Sequence, residues 1–153
     1  PLMDSRLAYA KLFEEDILLA IHKDSHVNDY FKNKDDNSLT IEDLNKLRSE
    51  SFIMCQKGRN LRDISIAICH KAGFEPNIVY ETPSCENITE MILQDIGLGF
   101  VPRRTIEAYP PDRRPRYYRI LDDISSQTFV LAYREGALSR AAQAFYSIMT
   151  END

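Results

Sequence analysis

The sequence is short of the residues that build most metal, redox and membrane sites. Its three cysteines, Cys55, Cys69 and Cys85, are widely spaced and form no CxxC pair, so neither a zinc knuckle nor a redox dithiol is expected. Each lies in or beside an apolar segment, where free cysteine acts as a small hydrophobe. That usage fits a reduced, cytoplasmic protein. No run approaches the ~20 apolar residues of a membrane span, and no signal peptide opens the chain at Pro1. Nor is there a basic excess: 19 Lys and Arg face 24 Asp and Glu, a net charge of −5, which argues against grip on nucleic acid through phosphates.

The catalytic signatures are lacking too. There is no Gly-x-Ser-x-Gly elbow and no P-loop. Gly97-Leu-Gly99 lacks the third glycine of a dinucleotide fingerprint and leads into a strand. His22-Lys-Asp-Ser-His26 has the spacing of a metalloprotease pair but lacks the Glu after the first histidine and any helical apolar period. Cys69 and His70 are neighbours on a helix and point in different directions. No enzyme, metal or cofactor is called for. One local exception to the acidic balance is Arg113, Arg114, Arg116 and Arg119 around Tyr117 and Tyr118. It reads either as a grip for single strands or as a solvated turn before an edge strand, and the acidic whole favours the turn.

What is present is a globular chain of 153 residues, 43% hydrophobic and 28% charged, enough for one domain or two small lobes. Residues 7–13 alternate loosely, and Asp16–Ile21 is the short apolar run of a strand buried on both faces. Residues 22–38 are polar and read as loop. Thr40 with Asp43 suggests a capping box for a short helix over about 41–47. Phe52–Cys55 is the next strand. A turn at Gln56–Asn60 then leads into a helix with Leu61, Ile64, Ile68 and Ala72 on one face, stopped by Gly73. Strand 77–80, helix 85–94 and strand 97–101 follow, then a one-turn helix at 103–108. Strands 117–121 and 129–133 and a helix capped by Ser139 close the chain. Strands alternating with helices predict an α/β fold with a largely parallel sheet.

Several of these stretches resemble the effector-binding domain of LysR-type transcriptional regulators. Leu39-Thr-Ile-Glu-Asp-Leu44 followed by Ser51-Phe-Ile-Met54 is similar to that family's Asp-Leu helix and second-subdomain strand. Lys71-Ala-Gly-Phe-Glu-Pro76 is similar to its Ala-Gly-Phe-x-Pro helix exit. Glu90–Pro102 resembles its helix–Gly–strand–Pro segment, with Asp95 where the family usually has Gly. Leu138–Ala142 with Phe145 resembles its closing helix. The resemblance implies a periplasmic-binding-protein-like (type 2) fold of two subdomains, with mixed, mostly parallel sheets flanked by helices. It implies a crossover segment at 1–15, subdomain II at 16–105, and a return to the last part of subdomain I at 106–153. The winged helix-turn-helix and the start of subdomain I would precede Pro1, leaving the core face of helix 138–149 partly uncovered. By the same resemblance the cleft lies between the subdomains, and the domain pairs side by side through helix 60–72 and strand 77–81, as a homodimer or tetramer. DNA would be reached only through the absent N-terminal domain.

In open α/β sheets small ligands sit beyond the carboxyl ends of strands, where helix N-termini present free N–H groups. Two such places occur, and they nominate Gln56, Gly58 and Asn60 in one loop, and Thr82, Pro83 and Ser84 in the other. Phe100 is expected as wall. Gly58 lets backbone approach a ligand, Gln56 and Asn60 both donate and accept, and the helix dipoles favour an anion. Ser84 and Asn60 read equally as ordinary caps, and Lys57 and Arg59 equally as solvated surface. The expected effector is a small anionic metabolite. Two rivals stay open: a two-lobed solute-binding protein of a transport system, and a small α/β enzyme.

Overall fold

The computed structural model describes residues 4–34, 36–134, 136 and 138–150; the remainder of the 1–15 and 106–153 segments lies outside the described residues. The chain divides into two compact units, Asp16–Ser126 and the pair of segments Pro1–Glu15 with Gln127–Asp153. The larger unit includes residues 106–126. Two side chains tie them there. Lys71 Nζ donates to Asp122 at 2.7 and 2.8 Å, and the Tyr109 hydroxyl is pushed up to about 12 by burial and by its hydrogen bond to Glu90.

The larger unit is built on the second half of strand β1 (Ala8–Ile21), whose Ile17–Ile21 are all buried. β1 pairs antiparallel on one side with β5 (Gly99–Pro102), Leu19 opposite Phe100. On its other side it pairs antiparallel with β6 (Arg116–Ile120), Leu19 opposite Tyr118. β2 (Ser38–Leu39) adds in parallel to β6. β3 (Ser51–Cys55) pairs in parallel with β4 (Asn77–Thr82) and joins the rest through the parallel bridge Phe52↔Leu98. The sheet is thus mixed, and around β1 antiparallel where sequence order suggested parallel. Alternation of strands and helices constrains connections, but β1 enters from the other unit and is bound by no βαβ crossover to its neighbours. β6 is also interior, between β2 and β1, not the edge strand expected from its arginines.

Residues 97–99 approach β3 so closely that only glycine fits. A Cβ at Gly97 or Gly99 would lie 2.7 Å from the carbonyl oxygen of Ser51 or Ile53. That packing accounts for the two glycines of the Gly-Leu-Gly run. Phe52 then stands between Phe74 and Phe100, with ring centroids 5.9 and 6.0 Å away.

Segment 22–38 is not simply loop. Ser25 caps a 3-10 helix over His26–Phe31 that buries Val27 and Phe31. Asn28 holds it, donating to the His22, Lys23 and Ser25 carbonyls at 2.9, 3.2 and 3.0 Å. In turn it accepts from the buried Tyr118 hydroxyl at 3.1 Å. Among the described residues every buried side-chain nitrogen and oxygen has a partner, which offsets the cost of taking it out of water.

The helices follow their local signals. α1 (Ile41–Leu44) carries the complete Thr40–Asp43 capping box and runs into a 3-10 turn, Asn45–Leu47. α2 (Asn60–Lys71), α3 (Cys85–Leu93) and α4 (Arg103–Glu107) complete the unit. α2 and α3 end in the same motif. Phe74 N–H reaches Cys69 O at 3.1 Å and Gly73 N–H reaches His70 O at 2.9 Å; Ile96 N–H reaches Met91 O at 3.2 Å and Asp95 N–H reaches Ile92 O at 3.0 Å. The pivot is left-handed in both, φ 85° at Gly73 and 56° at Asp95, which glycine adopts freely and aspartate at some cost.

In the smaller unit the first half of β1 pairs with β7 (Ser126–Tyr133). Phe13 stacks on Phe129 at 4.6 Å, and Tyr133 meets Tyr146 of α5 (Arg140–Thr150) edge-on at 5.1 Å. Ser139 caps α5 through Ala142 N–H at 3.2 Å. No described residue of α5 is buried, and Phe145 and Ile148 are 53% and 63% exposed.

Asp95→Gly is expected to stabilise the protein by up to about 1 kcal/mol, and Gly73→Ala to destabilise it by about 1–2 kcal/mol. Urea midpoints at unchanged slope measure both. Equal midpoints for wild type and Asp95→Gly would show the left-handed turn costs nothing.

Candidate functional site

The carboxyl ends of the parallel strands β3 and β4 lie side by side, Cys55 opposite Thr82, and the chain leaves both into helices. Gln56 N–H donates to Thr82 O at 3.0 Å, which pins the two exits together. Beyond it Gly58 turns the chain with φ 84°, and Gln56, Gly58 and Asn60 are all exposed. Arg59, not Asn60, occupies the N-cap of α2, and its side chain makes no capping hydrogen bond. Asn60 is its first residue. The two loops therefore converge on one mouth within the larger unit, with α2 opening toward it and carrying its positive end there.

The second loop is more closed. Ser84 is the N-cap of α3, its Oγ accepting from Asn87 N–H at 3.2 Å. Thr82 is buried, and its Oγ1 accepts from Asn87 Nδ2 at 3.2 Å. Pro83 is exposed between them. Phe100 does not line this mouth: it is 1% exposed and stacks on Phe52. Its place on β5, hydrogen-bonded beside β1, turns the ring into the core, so its assignment as wall is withdrawn. A depression of about 220 Å³ lies at the opposite end of β3, where Ser25, His26, Glu50, Ser51, Asp95 and Ile96 line it. Its walls contain none of the nominated residues. There His26 faces Glu50 at 3.5 Å.

Two features of the mouth escaped the sequence. Arg62, on the first turn of α2, is largely buried and donates from Nη1 to Cys55 O at 2.8 Å and to Glu81 Oε1 at 2.6 Å. Cys55, last residue of β3, and Cys85, first residue of α3, share a hydrogen bond between their thiols. That bond lowers the Cys55 thiol to about 7, against burial that raises it and with help from the Arg59 and Arg62 charges. Cys69 behaves oppositely: burial pushes it up to about 12. No CxxC spacing announces the Cys55–Cys85 contact, because it is made by strand register. Cysteine at the end of one parallel strand and at the start of the helix after its neighbour was the only available signal.

The sequence matches the LysR substrate binding domain family over residues 1–153. The chain belongs to that family. The uncharacterized HTH-type transcriptional regulator YwbI of Bacillus subtilis is 30% identical over 103 residues, 67% of this chain and 34% of that protein. The DNA-binding transcriptional dual regulator OxyR of Escherichia coli is 26% identical over 133 residues, 85% of this chain and 40% of that protein. The LysR domain described here thus spans less than half the length of these relatives. In fold it resembles the CcmR regulatory domain of Synechocystis PCC6803, solved in complex with 2-PG, with a TM-score of 0.81 at 19% identity, covering 99% of this chain and 71% of that one. Among the described residues of the LysR domain no helix is long and apolar enough to cross a membrane.

Cys85→Ala removes the thiol donor and is expected to move Cys55 upward from about 7. Titration of thiolate absorbance in wild type and variant measures the shift. A low-pH ionisation that survives in Cys85→Ala would assign the effect to the two arginines instead.

Proposed function

We propose that this chain is the effector-binding domain of a LysR-type transcriptional regulator, and that a small anionic metabolite is received where α2 and α3 begin. The observation that carries this reading is the convergence of those two helix N-termini at the carboxyl ends of adjacent parallel strands. Free N–H groups and the helix dipole favour a carboxylate or phosphate. Gln56, Gly58, Asn60 and Ser84 are the contacts, with Pro83 at the rim. Thr82 acts from beneath, as the hydroxyl that orients Asn87. Membership of the family and relatives named as transcriptional regulators favour a sensor over a transport solute-binding protein or an enzyme.

The ligand works by differential affinity for two conformations, which shifts a regulator between states. DNA contact belongs to a part of the protein outside this chain, in the cytoplasm. Pairing between copies, as dimer or tetramer, uses α2 and β4. It is supported by Val79 and Tyr80, which stand 47% and 52% exposed on the edge strand β4. Residues 1–15 serve as the crossover into the effector-binding part, and the last segment as the return from it.

A panel of small mono- and dicarboxylates and phosphorylated acids, scored by melting shift, is expected to yield ligands whose shift falls in Gln56→Ala and Ser84→Ala. Ser84→Ala also lowers the unliganded stability by about 1 kcal/mol, the usual cost of a lost cap. Ligand-induced shifts unchanged in both variants would refute the site.

A further inference from the structure

The arginines around Tyr117 and Tyr118 have different tasks. Arg119 turns toward Asp16, 4.0 Å away. Arg114 clamps the turn before β6, donating to Tyr109 O at 2.7 Å and to Glu107 O at 2.9 Å. Tyr118 is buried with its hydroxyl on Asn28, so the two tyrosines do not form a stacking platform for a nucleic acid strand. Arg116 stands at the start of β6, opposite Ile21, with its guanidinium 5.5 Å from the Tyr118 ring centroid. Lys23, just past the end of β1, lines the same depression as Arg116. The depression holds about 470 Å³, with Asn37, Asp112, Arg114 and Tyr117 also in its walls.

The backbone that presents these side chains is tied down. Lys23 O accepts from Asn28 Nδ2 at 3.2 Å, and Asn37 O accepts from Arg119 N–H at 2.8 Å. Elsewhere in this unit Lys34, Arg62, Lys71 and Arg103 each meet a carboxylate. Among the described residues Lys23 and Arg116 form no ion pair. Two unmatched cations in one concave surface, in a chain of net charge −5, concentrate positive potential where an anion can enter. This surface is also separate from the mouth. β5 and β6 both run antiparallel to β1, and β5 continues the direction of β3 through the Phe52↔Leu98 bridge. The start of β6 therefore lies at the end of the sheet away from the carboxyl ends of β3 and β4.

We propose that this depression is a second ligand site, for the phosphomonoester of a small hydroxylated molecule. The ammonium of Lys23 is a compact charge and the guanidinium of Arg116 a planar fork, so together they match a dianion with several oxygens. A monocarboxylate offers half that charge and is held less. Asn37 and Asp112 accept hydrogen bonds from the hydroxyls, and the Asp112 charge keeps the phosphate on the side of Lys23 and Arg116. The volume is that of a metabolite pocket. Occupancy here does not depend on what the mouth receives.

The test titrates nitrogen-15-labelled protein with glycerol 3-phosphate and follows amide shifts, with glycerol and sodium acetate at matched ionic strength as controls. The expected result is saturable movement of the Lys23, Asn37, Arg114, Arg116 and Tyr117 amides with glycerol 3-phosphate and none with either control. Lys23→Gln and Arg116→Gln should each weaken binding about tenfold, the usual effect of losing one charge-assisted hydrogen bond. Both side chains are exposed, and unchanged amide spectra away from the site report that the variants are folded. Gln56→Ala and Ser84→Ala should bind at this site as wild type does. The proposal is overturned if these amides stay still in wild type, if acetate moves them equally, or if the Lys23 and Arg116 variants bind undiminished. Tighter binding of a short oligothymidylate at the same amides, lost in the same two variants, would assign the surface to nucleic acid and overturn it too.

Discussion

The second half of β1 is the strand on which the larger unit depends. Ile17–Ile21 are buried without exception, and both edges of the strand are hydrogen-bonded, to β5 on one side and β6 on the other. A strand in that position can neither slip nor turn over, because a shift of one residue would exchange its two faces. β5 in turn carries Phe100 against Phe52, which sets β3, and β3 sets β4 by parallel register. The two loops of the candidate mouth inherit their spacing from this chain of contacts. On its other side, β6 buries Tyr118, whose hydroxyl meets Asn28 and so orders a segment with little regular pattern of its own.

The smaller unit shows the complementary situation. Its core consists of a few aromatic contacts, Phe13 on Phe129 and Tyr133 on Tyr146, and α5 keeps an apolar stripe in the open. An amphipathic helix gains its stability from what its stripe buries. Phe145 and Ile148 stand exposed on that stripe.

The candidate site was partly legible in advance. Gln56, Gly58 and Ser84 could be named because strand ends, a glycine turn and a hydroxyl cap leave local marks in sequence. Asn60 as a cap and Phe100 as a wall differ from the structure for different reasons. Cap position depends on one residue of helix phase, and Arg59 took it. Phe100 sits in a short apolar strand, whose ring direction is decided by which sheet it joins. Arg62 and the thiol contact left no mark at all. Each joins residues brought together only by the pairing of β3 with β4.

The sequence by itself determined the local elements and their ends: the Thr40–Asp43 box, the Ser84 and Ser139 caps, the left-handed exits at Gly73 and Asp95, and the apolar stripes of α2 and α5. These depend on interactions within a helical turn or so, where spacing along the chain equals spacing in space. Tertiary structure alone decided the antiparallel setting of β1, the interior place of β6, the burial of Phe100 and the meeting of Cys55 with Cys85. Those are contacts between segments tens of residues apart, and apolar pattern records that a face is buried but not against what.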